Sequence, residues 1–235
     1  MEIKERIIDF IEKNRVSTTE VADALGKTGA LKGVLPVKQN THIAGSIKCV
    51  FTANNSNYAL HEQIRDIKED DVVIVFTHNC EERAILGDLV SKFILLYKGA
   101  KCLVVDGMIR DIGAIKREGF NVWSNGVSPI GCFNVEADAF PDNLRIEILR
   151  KYEGAIAVCD DGGVVIIEND LISETMLTRL ERIEMQEDIW FFCLDTLKWD
   201  TKKIVCDKAY LHETNLLAAA HLSNLDELGK PLDKK

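Results

Sequence analysis

The stretch VVDGMIRDIGAIKREGF, residues 104–120, passes from an apolar run through one short polar turn into a helical pattern. The turn contains Asp106, Gly107, Arg110 and Asp111. A buried strand that leads directly into a helix is the repeating unit of α/β folds. In such folds, ligands bind where strands end and helices begin. The stretch therefore predicts both the fold class and the first place to look for a site.

The same turn also has a purely structural explanation. Asp111 belongs to a residue type that often caps a helix, and Gly107 can adopt a positive φ angle. Arg110 can pair with a surface acid for less than about 1 kcal/mol. Taken by itself, the turn favours this structural explanation, and only the wider sequence decides between it and a functional one.

Strand and helix patterns alternate on both sides of the turn. Helices are predicted over 2–13, 17–26, 57–68, 84–98, 111–118, 170–187 and 210–225, and strands over 42–53, 71–76, 101–105, 121–124 and, as a hairpin, 155–167. Alternation up to residue 125, followed by a hairpin, predicts an α/β fold and not a purely parallel sheet.

The composition of the chain limits which binding partners and which cellular compartment we expect. The chain has 235 residues, 46% of them apolar, and a formal net charge of −9. A nucleic-acid partner would require a basic surface, so none is expected. No run of apolar residues is long enough to span a membrane. The N-terminus lacks the layout of a signal peptide, so we expect a cytoplasmic protein.

Seven cysteines are scattered along the chain without a CxxC motif or the Cys/His spacing of a zinc site. Several of them lie within apolar runs, where cysteine behaves as a small buried hydrophobic residue. We therefore expect reduced thiols in the core.

Residues 87–129 resemble the signature of the RraA-like family. The matching features are an acid after glycine at Asp88, the DG-x-x-RD pattern at 106–111, and GVSP at 126–129. Four other segments agree in order: TTEVADALGKTG, IAGSIKCVFT, NYALHEQI and CDDGGVVII. The family includes 4-hydroxy-4-methyl-2-oxoglutarate aldolases, which also decarboxylate oxaloacetate, and regulators of ribonuclease E activity.

The resemblance implies a layered α/β/α fold around a small barrel-like central sheet, similar to phosphohistidine swivelling domains. It also implies a homotrimer or homohexamer with its active site at a subunit boundary. We assign residues 1–187 to the family-like domain. Residues 188–235 show no resemblance and are expected to form an extension that packs on the domain or on a neighbouring subunit.

The resemblance also implies roles for individual residues. Asp111 would bind Mg²⁺, or another divalent cation such as Mn²⁺, and Asp88 would hold the metal through water. Arg110 would contact the keto-acid end of the substrate, so Arg110 and Asp88 are the expected catalytic residues. The backbone at Gly87, Leu89 and Val90 would receive the substrate carboxylate.

These residue types suit cleavage of a small 2-keto acid. Breaking the carbon–carbon bond next to the ketone leaves a pyruvate enolate, so negative charge grows on the ketone oxygen. A divalent metal and a guanidinium group both stabilise such charge. Retro-aldol cleavage and oxaloacetate decarboxylation share this enolate, which explains how one site could perform both reactions.

Several features leave alternatives open. Twenty-one residues separate Asp88 from Arg110, one more than the family's aldolases commonly have. In a regular helix the extra residue would rotate Asp88 by about 100°, unless a bulge or a longer loop absorbed it. His61 is expected to be a packing or hydrogen-bonding residue, and His78 could lie nearer the site.

A second function is also possible, because regulator-type members act by binding an RNA-processing enzyme and can keep Arg110 and Asp111. A methyl-transfer role is disfavoured, since the sequence lacks a glycine-rich strand-to-helix loop for S-adenosylmethionine.

Overall fold

The computed structural model describes residues 1–217 and 219–229, and the chain divides into two compact units, Met1–Ile172 and Ser173–Lys235. The helices of the first unit are α1 (Ile3–Asn14), α2 (Thr18–Ala24), α3 (Tyr58–Gln63), α4 (Asp88–Lys92), α5 (Ile112–Arg117) and α6 (Asp142–Tyr152). Its strands are β1 (Leu35–Pro36), β2 (Ile43–Ala53), β3 (Val72–His78), β4 (Ala84–Leu86), β5 (Cys102–Ile109), β6 (Val122–Val127), β7 (Ile156–Asp160) and β8 (Gly163–Ile167).

These strands form one sheet in the order β1-β6-β5-β3-β2-β7-β8, and β4 pairs with β5 outside this path. The pairs β2–β3, β3–β5, β4–β5 and β5–β6 are parallel, while β1–β6, β2–β7 and β7–β8 are antiparallel. Ala30 forms a bridge with Val165 of β8, and the Leu31 amide donates to the Val164 carbonyl at 2.8 Å. The sheet is thus a nearly closed barrel flanked by helices, which confirms the predicted fold class.

Side chains of the central strands alternate between the barrel interior and the helical layer. Along β3, Ile74 belongs to the interior cluster, whereas Val73 and Val75 belong to the cluster that includes helix residues such as Leu60 and Ile115. Successive side chains of a strand point to opposite faces, so a strand buried on both faces is apolar throughout. Burial of the central strands on both faces therefore explains the uninterrupted apolar runs in the sequence.

One predicted helix, over 84–98, is wrong in its first part. Residues 84–86 form β4, which pairs in parallel with the end of β5. Only Asp88–Lys92 is α-helical, and a π-helix follows over Phe93–Tyr97. A short apolar run before a helix has no period of its own, so its strand character depends on pairing with β5.

The second unit begins with α7 (Glu174–Asp195) and ends, within the described residues, with α8 (Ala219–Gly229). The hydroxyl of Ser173 caps α7, which begins four residues after the predicted start at residue 170, and Asn169 and Asp170 lie in a short 3-10 turn. The helix predicted over 210–225 is confirmed in its last part, which lies in α8, whereas its first part contains 3-10 turns at Ala209–Leu211 and Thr214–Leu216.

This unit has its own hydrophobic cluster, whose buried members are Ile189, Cys193, Ile204, Tyr210 and Leu217. The predicted boundary between residues 187 and 188 falls within α7, and the role of 188–235 as an extension stays a prediction. Position 218 and residues 230–235 of that segment lie outside the described residues. Within the described part of the chain, every helix is too short or too polar to traverse a bilayer.

Candidate active site

The turn between β5 and α5 presents Arg110 and Asp111 at the edge of the sheet. The Arg110 amide donates to the Leu86 carbonyl at 3.0 Å, which ties the turn to the end of β4. Asp111 occupies the N-cap position of α5 with φ 57° and ψ 31°, and its side chain makes no capping hydrogen bond. A left-handed conformation costs an L-residue about 1–2 kcal/mol. Asp111 is therefore held in a strained conformation that leaves its carboxylate available for another role.

Gly87 makes room for that carboxylate. A Cβ atom built on Gly87 would lie 2.0 Å from Asp111 Oδ2 and 3.0 Å from Arg110 Cγ. The backbone of Gly87, at φ −135°, is one that any residue adopts, so the requirement for glycine is one of space. Gly87 thus lets the acid lie directly against the start of α4, and its part in receiving the substrate carboxylate stays a prediction.

Arg110 lies between Asp111 and the segment that follows β6. Its Nε is 3.4 Å from Asp111 Oδ2. A Cβ atom at Gly131 would lie 2.7 Å from Arg110 Nη1, so the guanidinium packs on the bare backbone of that glycine. About half of the Arg110 side chain is exposed, and the guanidinium can therefore meet a ligand from solvent.

The first turn of α4 carries the other predicted contacts. The Leu89 amide donates to Asp88 Oδ1 at 2.8 Å. Val90 follows in the same turn, where helical N–H groups have no acceptor within the helix. A substrate carboxylate that uses both amides must therefore displace Asp88 from Leu89.

Between Asp88 and Arg110 the chain forms a π-helix at Phe93–Tyr97. The Lys98 amide donates to the Phe93 carbonyl, five residues earlier, at 3.0 Å. A π-helical turn accommodates one residue more than an α-helical turn, and such insertions are frequent at functional sites. A π-helix is therefore the kind of bulge that can absorb the extra residue, and Asp88 lines the same cleft as Arg110 and Asp111.

A cleft of about 160 Å³ has the turn as one wall. An adjoining opening of about 550 Å³ shares Asp88, Arg110 and Asp111 with it. Gly87, Leu89 and Val90 line the smaller cleft. The structure thus brings all the predicted residues to one place, and their chemical roles stay predictions.

The cleft also contains residues that the sequence patterns do not assign to the site. Asn57 is buried and its Nδ2 donates to the Ile85 carbonyl at 3.0 Å. Its Oδ1 is a buried acceptor for which no donor exists among the described residues. Asn57 and His61 both line the cleft from α3 and the residue before it. The NYALHEQI match was the only signal that could have found them.

Of the two histidines discussed above, His61 lines the cleft and His78 does not. His61 is exposed and faces the cleft, so the packing role expected for it does not describe its position. The ring of His78 lies edge-on to Phe140, with centroids 5.7 Å apart, and is not among the residues that line the cleft.

The donor set suits Mg²⁺ bound mainly through water. Among the described residues, no group of three or more His, Cys, Asp and Glu side chains could hold a metal alone. Mg²⁺ keeps several waters and typically takes one or two carboxylates. Asp111, which is held against Gly87, and Asp88 on the same cleft would provide those two carboxylates.

Asp106, the first acid of the turn, lies apart from this cleft. It accepts a hydrogen bond from Asn125 Nδ2 at 3.0 Å. Burial raises the pKa of the Asp106 carboxyl, and the hydrogen bond from Asn125 partly opposes that shift. Asp106 therefore does not line the cleft, and its hydrogen bond with Asn125 helps to hold the turn in place.

The sequence pattern of one family, described as RraA-like (Aldolase/RraA), matches residues 18–166. The chain belongs to the RraA-like family. The match includes the turn, the cleft and nearly all of the barrel strands.

Similar proteins agree with this assignment. A Halalkalibacterium halodurans protein named "Putative 4-hydroxy-4-methyl-2-oxoglutarate aldolase" is 32% identical over 169 residues, which is 68% of this chain and 77% of that one. Two solved structures share the RraA-like fold at lower identity. An uncharacterized protein from Pseudomonas syringae has a TM-score of 0.63 at 21% identity, covering 83% of this chain and 95% of its own. Streptomyces coelicolor RraAS2, described as an unusual member of the RNase ES inhibitor RraA family, has a TM-score of 0.60 at 20% identity, with 77% and 94% covered.

Proposed function

We propose that this protein is a Mg²⁺-dependent lyase that cleaves a small 2-keto acid. The reaction would be retro-aldol cleavage of a 4-hydroxy-2-keto acid, decarboxylation of oxaloacetate, or both. One observation carries the proposal: the Asp111 carboxylate lies in the space left by Gly87, beside the Arg110 guanidinium and on the same cleft as Asp88. The aldolase name of the H. halodurans relative supports the same reaction class.

Arg110 would stabilise the charge that develops on the ketone oxygen. Its guanidinium is already oriented by Asp111 and by the backbone of Gly131, so little reorganisation is needed during the reaction. A planar guanidinium can also contact two oxygens at once, which an ammonium group cannot do in the same geometry. When bound, Mg²⁺ would supply a Lewis acid that polarises the keto acid.

Asp88 would change partners when substrate binds. A substrate carboxylate that takes the Leu89 and Val90 amides displaces Asp88 from Leu89, to which it is bonded at 2.8 Å. The released carboxylate can then orient a water molecule that accepts the proton of the substrate hydroxyl. Substrate binding and preparation of the base would in this way be coupled through one hydrogen bond.

The decisive experiment measures pyruvate formation from oxaloacetate with Mg²⁺ and then with EDTA. We expect metal-dependent turnover well above the spontaneous rate, and its loss in Arg110→Ala and Asp111→Ala. Arg117→Ala and Asp142→Ala are matched controls, because both residues are exposed and neither lines the cleft. Normal turnover in a folded Asp111→Ala protein would disprove the proposed metal role.

We further propose that the chain assembles as a homotrimer or homohexamer. Leu89, Phe93, Leu96 and Tyr97 leave an exposed apolar stripe along α4 and the π-helix. Exposed apolar patches commonly mark protein interfaces, and this stripe begins at the cleft. Light scattering of the wild type and of a Leu96→Lys variant tests the assembly, and a monomeric mass for the wild type would contradict it.

A non-catalytic role in binding an RNA-processing enzyme is the alternative. The net charge of −9 would favour docking on basic segments of such a partner. The description of S. coelicolor RraAS2 as belonging to an RNase ES inhibitor family motivates the same test. If oxaloacetate and 4-hydroxy-2-keto acids are not turned over, a pull-down with ribonuclease E-type enzymes is the next experiment.

A further inference from the structure

The segment 130–133 lies beside β4 and is joined to it by backbone hydrogen bonds. The Ala84 amide donates to the Ile130 carbonyl at 2.7 Å, and the Cys132 amide donates to the Ala84 carbonyl at 3.0 Å. Ala84 also pairs with Met108 of β5. β4 therefore lies between β5 and the segment 130–133, part of which lines the cleft.

Arg110 reaches across β4 to this segment. Its backbone follows β5, and its amide donates to the Leu86 carbonyl at 3.0 Å. At the other end of the side chain, Nη1 lies 2.7 Å from the position that a Cβ atom of Gly131 would take. The side chain thus spans the width of β4, and its charged end lies against a residue outside its own strand.

Glycine at position 131 makes room for this charged end. Its φ lies outside the left-handed region, so the backbone itself does not require glycine. The three atoms nearest to an added Cβ all belong to the Arg110 guanidinium, with Nη1 at 2.7 Å, Cζ at 3.4 Å and Nε at 3.9 Å. An alanine at this position would therefore displace the guanidinium without straining the backbone.

Arg83, the residue before β4, holds the segment 130–133 through two contacts of one side chain. Its Nη1 donates to the Gly131 carbonyl at 3.0 Å. Its Cζ lies 4.5 Å from the centre of the Phe133 ring, within the range of a cation–π interaction. A planar guanidinium can donate in its plane while its face lies on an aromatic ring. Arg83 itself does not line the cleft.

We propose that Arg83 and Gly131 are positioning residues for Arg110. The side chain of Arg83 fixes the Gly131 backbone, and this backbone is the surface on which the Arg110 guanidinium is set toward the substrate. The effect of the two residues on turnover rests on the proposed lyase function. Their effect on the position of Arg110 does not depend on it, and the two can be tested separately.

Loss of this support should lower kcat more than it raises KM. A donor stabilises developing charge best when it is held in place before the reaction, and a misplacement of about 1 Å can lower a rate by about 100-fold. The substrate carboxylate would be received by the Leu89 and Val90 amides, which lie on α4 and do not depend on the guanidinium. Binding should therefore change less than the chemical step.

The kinetic test compares Arg83→Met and Gly131→Ala with the wild type in the oxaloacetate assay. Methionine keeps most of the aliphatic length of Arg83 and removes its guanidinium. We expect kcat to fall about tenfold or more in each variant, while KM stays within about threefold of the wild-type value. Unchanged kcat in Gly131→Ala, or a rise in KM that accounts for the whole loss, would overturn the proposal.

Arg145→Met is the matched control. Arg145 also places its Cζ over an aromatic ring, 5.4 Å from the centre of Phe51, but it lines neither the cleft nor the adjoining opening. Its substitution should leave kcat near the wild-type value. A loss as large as that of Arg83→Met would show that removing any such arginine has this effect, and the positioning role would be refuted.

Crystal structures of Arg83→Met and Gly131→Ala test the placement without turnover. In both, we expect the distance between Arg110 Nε and Asp111 Oδ2, which is 3.4 Å in the wild type, to lengthen. The pairing of β4 with β5 should be kept. An Arg110 side chain that keeps its position in either variant would overturn the proposal. If the guanidinium moves as expected but the wild type turns over no keto acid, the lyase function fails and the positioning role stands.

Discussion

Gly87 illustrates how one missing methyl group can make room for a carboxylate, here that of Asp111. We predict that Gly87→Ala lowers kcat for oxaloacetate by about 100-fold or more, because its Cβ would meet Asp111 Oδ2 at 2.0 Å and drive the carboxylate away. Steady-state kinetics at saturating Mg²⁺ measures the effect. Circular dichroism should show that the fold is kept.

Gly113 in α5 provides the matched control for this substitution. Its added Cβ would meet only Arg117 Nη1, at 3.5 Å, the far end of a flexible side chain. Gly113→Ala should therefore leave turnover near the wild-type value and change the free energy of unfolding by less than about 1 kcal/mol. Equal losses in the two variants would show that crowding against Asp111 is not the cause.

The partly buried carboxyl of Asp106 should make the folding stability of the protein depend on pH. Burial raises the pKa of the Asp106 carboxyl in the folded state, so the folded protein holds this proton more tightly than the unfolded chain does. The free energy of unfolding therefore falls as pH rises from the pKa of the unfolded state, about 3.9, through the raised pKa of the folded state. We predict that Asp106→Asn is more stable than the wild type at pH 7 and that the difference shrinks toward zero below pH about 4. Urea unfolding at both pH values measures it, and a difference that grows on acidification would contradict the burial argument.

The residue types of the turn were predictable, but their partners were not. The DG-x-x-RD pattern identified Arg110 and Asp111 without any coordinates. Asp111 does occupy the N-cap position of α5, as the structural explanation of the turn proposed, but its side chain makes no capping hydrogen bond. Asn57 was not identified as a site residue, because the lack of a hydrogen-bond donor for its Oδ1 is a property of three-dimensional packing. An asparagine within a helical sequence pattern does not indicate whether its side chain will be paired.

At the scale of elements, the π-helix at Phe93–Tyr97 can absorb the longer spacing between Asp88, which lines the cleft, and Arg110. We predict that deletion of Leu96, which is largely exposed, converts this segment to regular α-helix and leaves the fold close to wild type. The reason is that a π-turn contains one residue more than the surrounding helix needs. The urea midpoint is the measurement.

A deletion in a regular helix is the control for this experiment. Ile146 in α6 is also exposed, but α6 has no extra residue, so its removal rotates the following residues by about 100°. Ile148, Leu149 and Tyr152 pack against the barrel interior cluster and would lose that contact. Equal destabilisation by the two deletions would mean that the π-helix does not absorb the extra residue.

The same segment shows the limit of prediction from periodicity. The pattern of 84–98 suggested one long helix, yet its first three residues pair with β5. Strand pairing joins residues far apart in the chain, and a local apolar period contains no information about it. By contrast, elements with a strong local signal were placed within a few residues, as the Ser17–Glu20 capping box at α2 shows.

For the whole molecule, the sequence predicted the α/β class and the hairpin at 155–167 from patterns alone, whereas the barrel-like sheet came from the family resemblance. Closure of the barrel depends on the two-residue strand β1 and on the bridge between Ala30 and Val165. Neither has a period that a sequence pattern could reveal. The acid-rich surface implied by a net charge of −9 was available from composition, but the exposed apolar stripe beside the cleft required coordinates.

The two units have separate cores, which makes the extension testable by truncation. The buried residues of the two barrel clusters all fall between Val34 and Ile166, and those of the second unit's cluster begin at Ile189. A chain that ends at residue 188 removes the latter cluster as a whole, so we predict that the barrel still unfolds cooperatively and within a few degrees of the full-length Tm. We expect the molecular mass by light scattering, or kcat/KM across a panel of 2-keto acids, to change instead. An unfolded truncated chain, or one with unchanged mass and unchanged kinetics, would show that residues 189–235 have a different role.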